Sequence, residues 1–212
     1  MFPCITNPNY PMKRFLFILG LGLLLSPALP AQDITPEERK KAIEYLDKTR
    51  AAVLGATEGL TEAQWNFKPG PDRWSVAEVT EHIAATEDFL RDRLEQQIMK
   101  APPRESGEDV KAIDAMVLAR IPDRSKKAQA PEPLHPTNRF GSPKGSLQHF
   151  EESRNKTIAF LKDTKDLRGH AADSPLGKKL DGYEWVLFIA AHSDRHTKQI
   201  EEVKADPGFP KK

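Results

Sequence analysis

The sequence has little cysteine and almost no excess of charge of either sign. Its single cysteine, Cys4, rules out an intramolecular disulfide framework and a cysteine-rich zinc module. The 212-residue chain has 32 lysines and arginines against 31 aspartates and glutamates, so its formal net charge is +1. Nucleic-acid-binding domains normally carry a basic excess, so no nucleic-acid partner is expected. The remaining composition is that of a globular domain.

Long hydrophobic runs are missing too, with one exception near the N terminus. An apolar run over residues 15–25 follows Lys13 and Arg14, and small and helix-breaking residues come next. As a helix this run would be about 16 Å long, too short for a bilayer core of about 30 Å. The order of charge, apolar run and small residues is typical of a secretory signal peptide. We therefore predict a signal peptide over residues 1–31, a periplasmic or secreted protein, and no stable membrane anchor.

Residues 32–212 form the predicted mature domain, and they contain no cysteine. Apolar residues recur there at helical spacing in four long stretches, each about twenty residues long. Each stretch begins with an N-cap signal. These signals are Thr35-Pro36, Ser75 with Glu78, Ser142-Pro143, and Asp181. A shorter helix is predicted from about Asp109 to Ile121, followed by an ordered loop, and no alternating pattern indicates a strand. The sequence therefore predicts an all-α four-helix bundle.

Two histidines in the last helix have the spacing of metal ligands. His192 and His196 are four residues apart, so both project from one helical face. A helical H-E-x-x-H zinc site has the same spacing, but here no glutamate stands between the histidines. Taken alone, this spacing is explained at least as well by two histidines on the helix surface that have no partner.

The neighbours of the pair favour a buried position. Five apolar residues of the same helix place its face on or beside the buried stripe: Trp185, Phe188, Ile189, Ile200 and Val203. Unpaired imidazoles would be costly there, and a metal or carboxylate partner removes that cost.

His82 is the third candidate ligand. It shares a face of the second long helix with Val79 and Phe89, so it can also point inward. The alternative is a core histidine bonded to a backbone or carboxylate group. Three imidazoles from two helices, with no cysteine nearby, suit a borderline divalent metal with open positions, such as zinc, nickel or manganese.

Two stretches around these histidines resemble motifs of the DinB-like superfamily. Residues 73–83, RWSVAEVTEHI, resemble its second-helix motif, and residues 191–200, AHSDRHTKQI, resemble its fourth-helix signature. The resemblance spans essentially residues 35–210. It implies a four-helix bundle in which His82, His192 and His196 bind a divalent metal. Members include thiol-dependent S-transferases, a mycothiol-dependent isomerase and metal-dependent hydrolases, so the resemblance does not fix the reaction.

The resulting hypothesis is an exported metal-dependent hydrolase acting on a small-molecule substrate or ligand. A metal centre of this kind can bind a water molecule and lower its pKa, which generates a nucleophile near neutral pH. The alternatives are a non-catalytic metal- or ligand-binding module and a thiol-dependent S-transferase. Export argues against the transferase, because low-molecular-weight thiols are mainly cytoplasmic. A homodimer stays open.

Two further residues are candidates for catalytic roles. Glu78 lies one turn before His82, where it can accept a proton or support a ligand, although capping by Ser75 already explains it. Arg154 interrupts the apolar face of the third long helix. It can pair with a buried acid, receive an anionic substrate, or extend to solvent.

The remaining histidines, and two residues between His192 and His196, are not expected to take part in the site. The other three histidines of the domain, His135, His149 and His170, are predicted to lie at the surface. Asp194 and Arg195 are expected to face away from the metal, either solvated or paired between helices.

Overall fold

The structure, a computed structural model, describes residues 33–211, and the predicted signal peptide lies outside them. The described residues form six α-helices, two short strands and two 3₁₀ turns. The helices are α1 (Pro36–Thr57), α2 (Glu62–Asn66), α3 (Val76–Gln96), α4 (Val110–Arg120), α5 (Pro143–Asp163) and α6 (Gly182–Lys204). The strands are β1 (Ala171–Asp173) and β2 (Lys179–Asp181), and the 3₁₀ turns are Ile98–Lys100 and Glu132–Leu134. Within residues 33–211, no helix is long and apolar enough to cross a membrane.

The four long helices pack as a bundle in the order α1, α6, α3, α5 around its axis. Helix α6 packs against α1 and α3, α5 packs against the same two helices, and α4 lies on the outside of α6. The metal candidates lie beside a core cluster that includes Val79, Ile83 and Phe150, all buried. Fully burying one such side chain stabilises the fold by about 1.5–3 kcal/mol. The mostly helical, bundle-forming fold predicted from the sequence is confirmed.

The predicted N-caps are present at all four long helices. The side chains of Thr35, Ser75, Ser142 and Asp181 each accept a hydrogen bond from a backbone N–H in the first turn. Each such cap is worth about 1 kcal/mol of helix stability. The caps of α3 and α6 fix where these two helices begin. They thereby also fix the positions of His82, His192 and His196 along the bundle axis.

The expectation of no strand was wrong. Strands β1 and β2 pair antiparallel, with Ala171 opposite Asp181. Each has only three residues, too few for an alternating pattern to show, and the turn between them uses Gly177 at a φ of +72°. Strand β2 ends at Asp181, the N-cap of α6, so the hairpin holds the start of the helix that carries two of the histidines.

The expected burial of Phe89 was also wrong. Phe89 follows His82 by two turns, about 10 Å along α3, and lies on the same face. His82 is covered by the chain around Leu134 and is only 3% exposed, whereas Phe89 is 42% exposed. One helical face is therefore buried at one height and open at another, which periodicity cannot show.

Candidate metal centre

The structure brings together the three histidines that the sequence singled out. His82 on α3 faces His192 and His196 on α6, with ring centroids 5.2 and 4.6 Å away, and the two rings of α6 are 4.3 Å apart. One ring nitrogen from each residue lies within 4.8 Å of the other two. The group contains no carboxylate and no thiol.

The hydrogen bond of His82 fixes which of its nitrogens is free. Its Nδ1 lies 2.9 Å from the carbonyl oxygen of Leu134. A carbonyl oxygen only accepts, so Nδ1 carries the hydrogen and Nε2 keeps the lone pair that a metal needs. His82 is thus a core histidine bonded to the backbone, which was the alternative to a metal ligand. The two interpretations are compatible, because Nε2 is still available to a metal.

All three rings are held in the uncharged form. Burial, together with the nearby charges of His135 and Arg139, lowers the pKa of His82 to about 4. Loss of hydration, together with the other rings of the cluster, lowers the pKa values of His192 and His196. A protonated imidazole cannot bind a metal, so these surroundings favour ligation at neutral pH.

The cluster is more exposed to solvent on the side of His192, and the ring of Trp74 covers it on the side of His82. His82 and His196 are buried, whereas His192 is half-buried. The indole ring of Trp74 lies 4.9 Å from the ring of His82 and 6.3 Å from that of His135. The donor set suits zinc or a similar divalent ion, and the exposure of His192 leaves a side from which a small molecule can approach.

Residues 121–141, which connect α4 to α5, lie against both ligand helices. On α3, the carboxylate of Glu81 accepts hydrogen bonds from the backbone N–H groups of Thr137, Asn138 and Arg139, at 2.8–3.1 Å. Burial on its own would raise the pKa of Glu81, but these donors outweigh it and lower the pKa. Glu81 therefore fastens the end of the 121–141 segment next to His82.

Arg195 fastens the beginning of the same segment to α6. Its guanidinium donates to the carbonyl oxygens of Ile121 and Lys126, at 3.4 and 2.7 Å, and to that of Asp123. Arg195 thus faces away from the cluster, as expected, but it binds a loop rather than solvent or a helix. Asp194 faces Lys198 of its own helix, at 3.4 Å, and Tyr45 of α1. Glu81, which directly precedes His82, was not singled out from the sequence, and its position next to that histidine was the only signal for it.

Glu78 lies in the capping position, with both carboxylate oxygens engaged. Oε2 accepts from the backbone N–H of Ser75 at 2.7 Å, and Oε1 accepts from Nζ of Lys68 at 2.9 Å. The N-cap role accounts for Glu78, and the structure shows no contact of its carboxylate with His82.

Arg154 is fully buried and pairs with Glu87, the first of the three alternatives. Its five N–H groups have partners inside the bundle, which are the carboxylate of Glu87, the hydroxyls of Thr49 and Ser193, and the carbonyl oxygen of Leu46. Because it is 0% exposed, it does not extend to solvent, and no N–H group is left for an anionic substrate.

The other three histidines are half-buried rather than at the surface, and each has a partner outside the cluster. His135 contacts the carbonyl oxygen of Ala130, His149 pairs with Asp88, and His170 contacts the carbonyl oxygen of Ala101. Their partners lie in loops or on another helix, so sequence spacing gave no sign of them.

The fold and the three converging imidazoles define a class, a four-helix bundle with a histidine cluster between two of its helices. The family model of the DinB superfamily matches residues 45–200. The chain belongs to the DinB superfamily, which confirms the resemblance noted in the sequence.

Two similar proteins come from Bacillus subtilis. The uncharacterized protein YuaE of strain 168 is 29% identical over 165 residues, which are 76% of this chain and 96% of YuaE. The solved structure of YfiT, described as a probable metal-dependent hydrolase with an unusual four-helix bundle topology, superposes with a TM-score of 0.56. That match covers 86% of this chain and 95% of YfiT at 19% identity, so it supports the fold.

Proposed function

We propose that this protein is an exported metal-dependent hydrolase that holds one divalent ion with His82, His192 and His196. The observation that carries the proposal is the convergence of three uncharged imidazoles whose ring nitrogens lie within 4.8 Å of one another. The description of YfiT as a probable metal-dependent hydrolase agrees with it. Zinc, nickel and manganese all accept imidazole ligands, and zinc is the ion used for the tests below.

The residues around the cluster define what the site would do. Three neutral ligands leave the full charge of a divalent ion uncompensated, because the group contains no carboxylate. A divalent ion held there supplies Lewis-acid chemistry, polarising a carbonyl or phosphoryl oxygen and generating a nucleophile from water near neutral pH. The indole ring of Trp74, 4.9 Å from the ring of His82, offers an apolar surface beside the site on which a small molecule can pack.

An activity screen tests the reaction class. Zinc-loaded protein is assayed with ester and amide substrates, and separately with electrophiles in the presence of a low-molecular-weight thiol. Hydrolysis that disappears in His192→Ala but persists in His170→Ala supports the proposal. Turnover that requires the thiol would instead make the protein an S-transferase, and metal binding without any turnover would make it a binding module.

A further inference from the structure

The ring of His196 is held by a chain of contacts that begins in the 121–141 segment. Nη1 of Arg124 donates to Oε1 of Gln199 at 3.1 Å, and the same oxygen lies 2.8 Å from Nδ1 of His196. Gln199 comes one turn after His196 on α6 and is half-buried between the two. The guanidinium of Arg124, in the 121–141 segment, is therefore linked to the ring of His196 through the side-chain amide of Gln199.

These contacts allow only one arrangement of hydrogens. A guanidinium has donors and no acceptor, so the Gln199 atom facing Arg124 must be the amide oxygen. That oxygen also faces Nδ1 of His196, so Nδ1 must carry a hydrogen. In a neutral imidazole, Nε2 then holds the lone pair, and this is the nitrogen left to bind a metal.

Without Arg124, packing alone would not choose this arrangement. A glutamine amide has nearly the same shape when turned by 180°, and it would then offer its NH₂ group to Nδ1. The hydrogen of His196 would move to Nε2, and the lone pair would face Gln199. The bidentate pair of Arg124 with Glu202, at 2.6 and 2.7 Å, keeps the guanidinium in place and its Nη1 on Gln199.

The contrast with His82 supports this interpretation. The partner of His82 is the backbone carbonyl of Leu134, which has no donor to present in any orientation. Its tautomer therefore needs no further residue. The hydroxyl of Thr86 also lies 3.5 Å from Nδ1 of His82, but the shorter bond to the carbonyl of Leu134 already places the hydrogen on that nitrogen. The tautomer of His196, in contrast, depends on which way the amide of Gln199 is turned.

We propose that Arg124 and Gln199 are positioning residues that hold His196 in its metal-binding tautomer, so that the 121–141 segment contributes to metal affinity. The proposal rests on the proposed function for its effect on affinity. The tautomer itself is a property of the metal-free protein and can be measured separately.

The first measurement records the ring nitrogens of His196 by ¹H–¹⁵N NMR in metal-free protein. We expect hydrogen on Nδ1 in the wild type and a mixture with the Nε2–H form in Arg124→Met. Hydrogen on Nε2 in the wild type, or an unchanged tautomer in Arg124→Met, would overturn the proposal. This result does not depend on whether the protein binds zinc.

The second measurement is a double-mutant cycle on zinc affinity. A glutamate in place of Gln199 has two acceptor oxygens and no donor, so it accepts from Nδ1 without help from Arg124. We expect Arg124→Met to weaken zinc binding about tenfold in the wild-type background and less than about twofold in the Gln199→Glu background. Gln199→Leu, which cannot accept, should weaken binding by about 10- to 100-fold.

Arg195→Met is the matched control, because Arg195 holds the same segment through backbone carbonyls. It should have the same effect on zinc affinity in both backgrounds. If Arg124→Met also costs the same in both, Arg124 is only an anchor for the segment and the inference is wrong. If the wild type binds no zinc while the NMR result holds, the proposed function fails and the tautomer assignment stands.

Discussion

The guanidinium of Arg154 and the carboxylate of Glu87 form a bidentate pair inside the bundle, with Nε and Nη2 donating to Oε1 and Oε2 at 2.7 and 2.8 Å. The two side chains are 0% and 1% exposed. Arg154 also donates to the hydroxyl of Ser193, the residue after His192. The pair therefore joins α3 and α5 to the helix that carries two of the histidines.

Removing one member of this pair should destabilise the protein strongly. Arg154→Met or Glu87→Leu leaves a buried charged group without its partner, and we expect a loss of about 3–5 kcal/mol in the free energy of unfolding. The double variant Arg154→Met/Glu87→Leu should lose much less than the sum of the two. Urea denaturation measures all of these values.

The exposed pair of Lys40 and Glu44, 3.8 Å apart on α1, is the control. Glu44→Gln should change the free energy of unfolding by less than about 1 kcal/mol. If Arg154→Met also lowers the free energy of unfolding by less than about 1 kcal/mol, the buried pair stabilises the protein no more than the exposed pair does.

Each histidine of the cluster should be needed to retain the metal. Replacing His82, His192 or His196 with alanine leaves two ligands, so we expect most of the zinc to be lost on dialysis. His135→Ala, His149→Ala and His170→Ala should retain it, because these side chains have partners elsewhere. Elemental analysis after dialysis measures the zinc content, and equal retention in all six variants would contradict the assignment.

The metal-free protein should lose stability as the pH falls below 6.5. The pKa of His82 is about 4 in the folded protein and about 6.5 when unfolded, so the unfolded chain binds more protons between these values. The contribution is complete above pH 6.5 and is lost towards pH 4. His82 alone should lower the free energy of unfolding by about 2 kcal/mol between pH 7 and pH 5.

The comparison that isolates this effect is the triple variant His82→Gln/His192→Gln/His196→Gln. Burial and the charge of Asp181 raise the pKa of Glu184 to about 7, which gives a slope of opposite sign, but that residue is present in both proteins. The variant should therefore lose less stability on acidification than the wild type. An equal loss in both would show that the histidines do not carry the pH dependence.

Export predicts a shortened N terminus. Protein isolated from the native host should begin near Gln32 and be recovered outside the cytoplasm. N-terminal sequencing of that material decides the matter. An intact Met1 or Met12 in a membrane fraction would contradict the signal peptide.

Local signals in the sequence predicted the helices and the pairing of His192 with His196, and the resemblance to the DinB-like superfamily added His82. A cap such as Ser75 with Glu78 involves residues three apart, and His192 and His196 lie one turn apart, so both patterns can be recognised without a structure. Other contacts between distant residues could not be predicted. Glu87 is 67 residues from Arg154, and Glu81 binds backbone amides more than 50 residues away, and neither contact leaves a periodic trace.

The zinc coordination in purified wild-type protein tests the central claim most directly. X-ray absorption on protein loaded with one equivalent of zinc should show three imidazole nitrogens at about 2.0 Å. The same measurement on His196→Ala should show weak or no binding. A wild-type protein that takes up no zinc, or that binds it without imidazole scattering, would contradict the account.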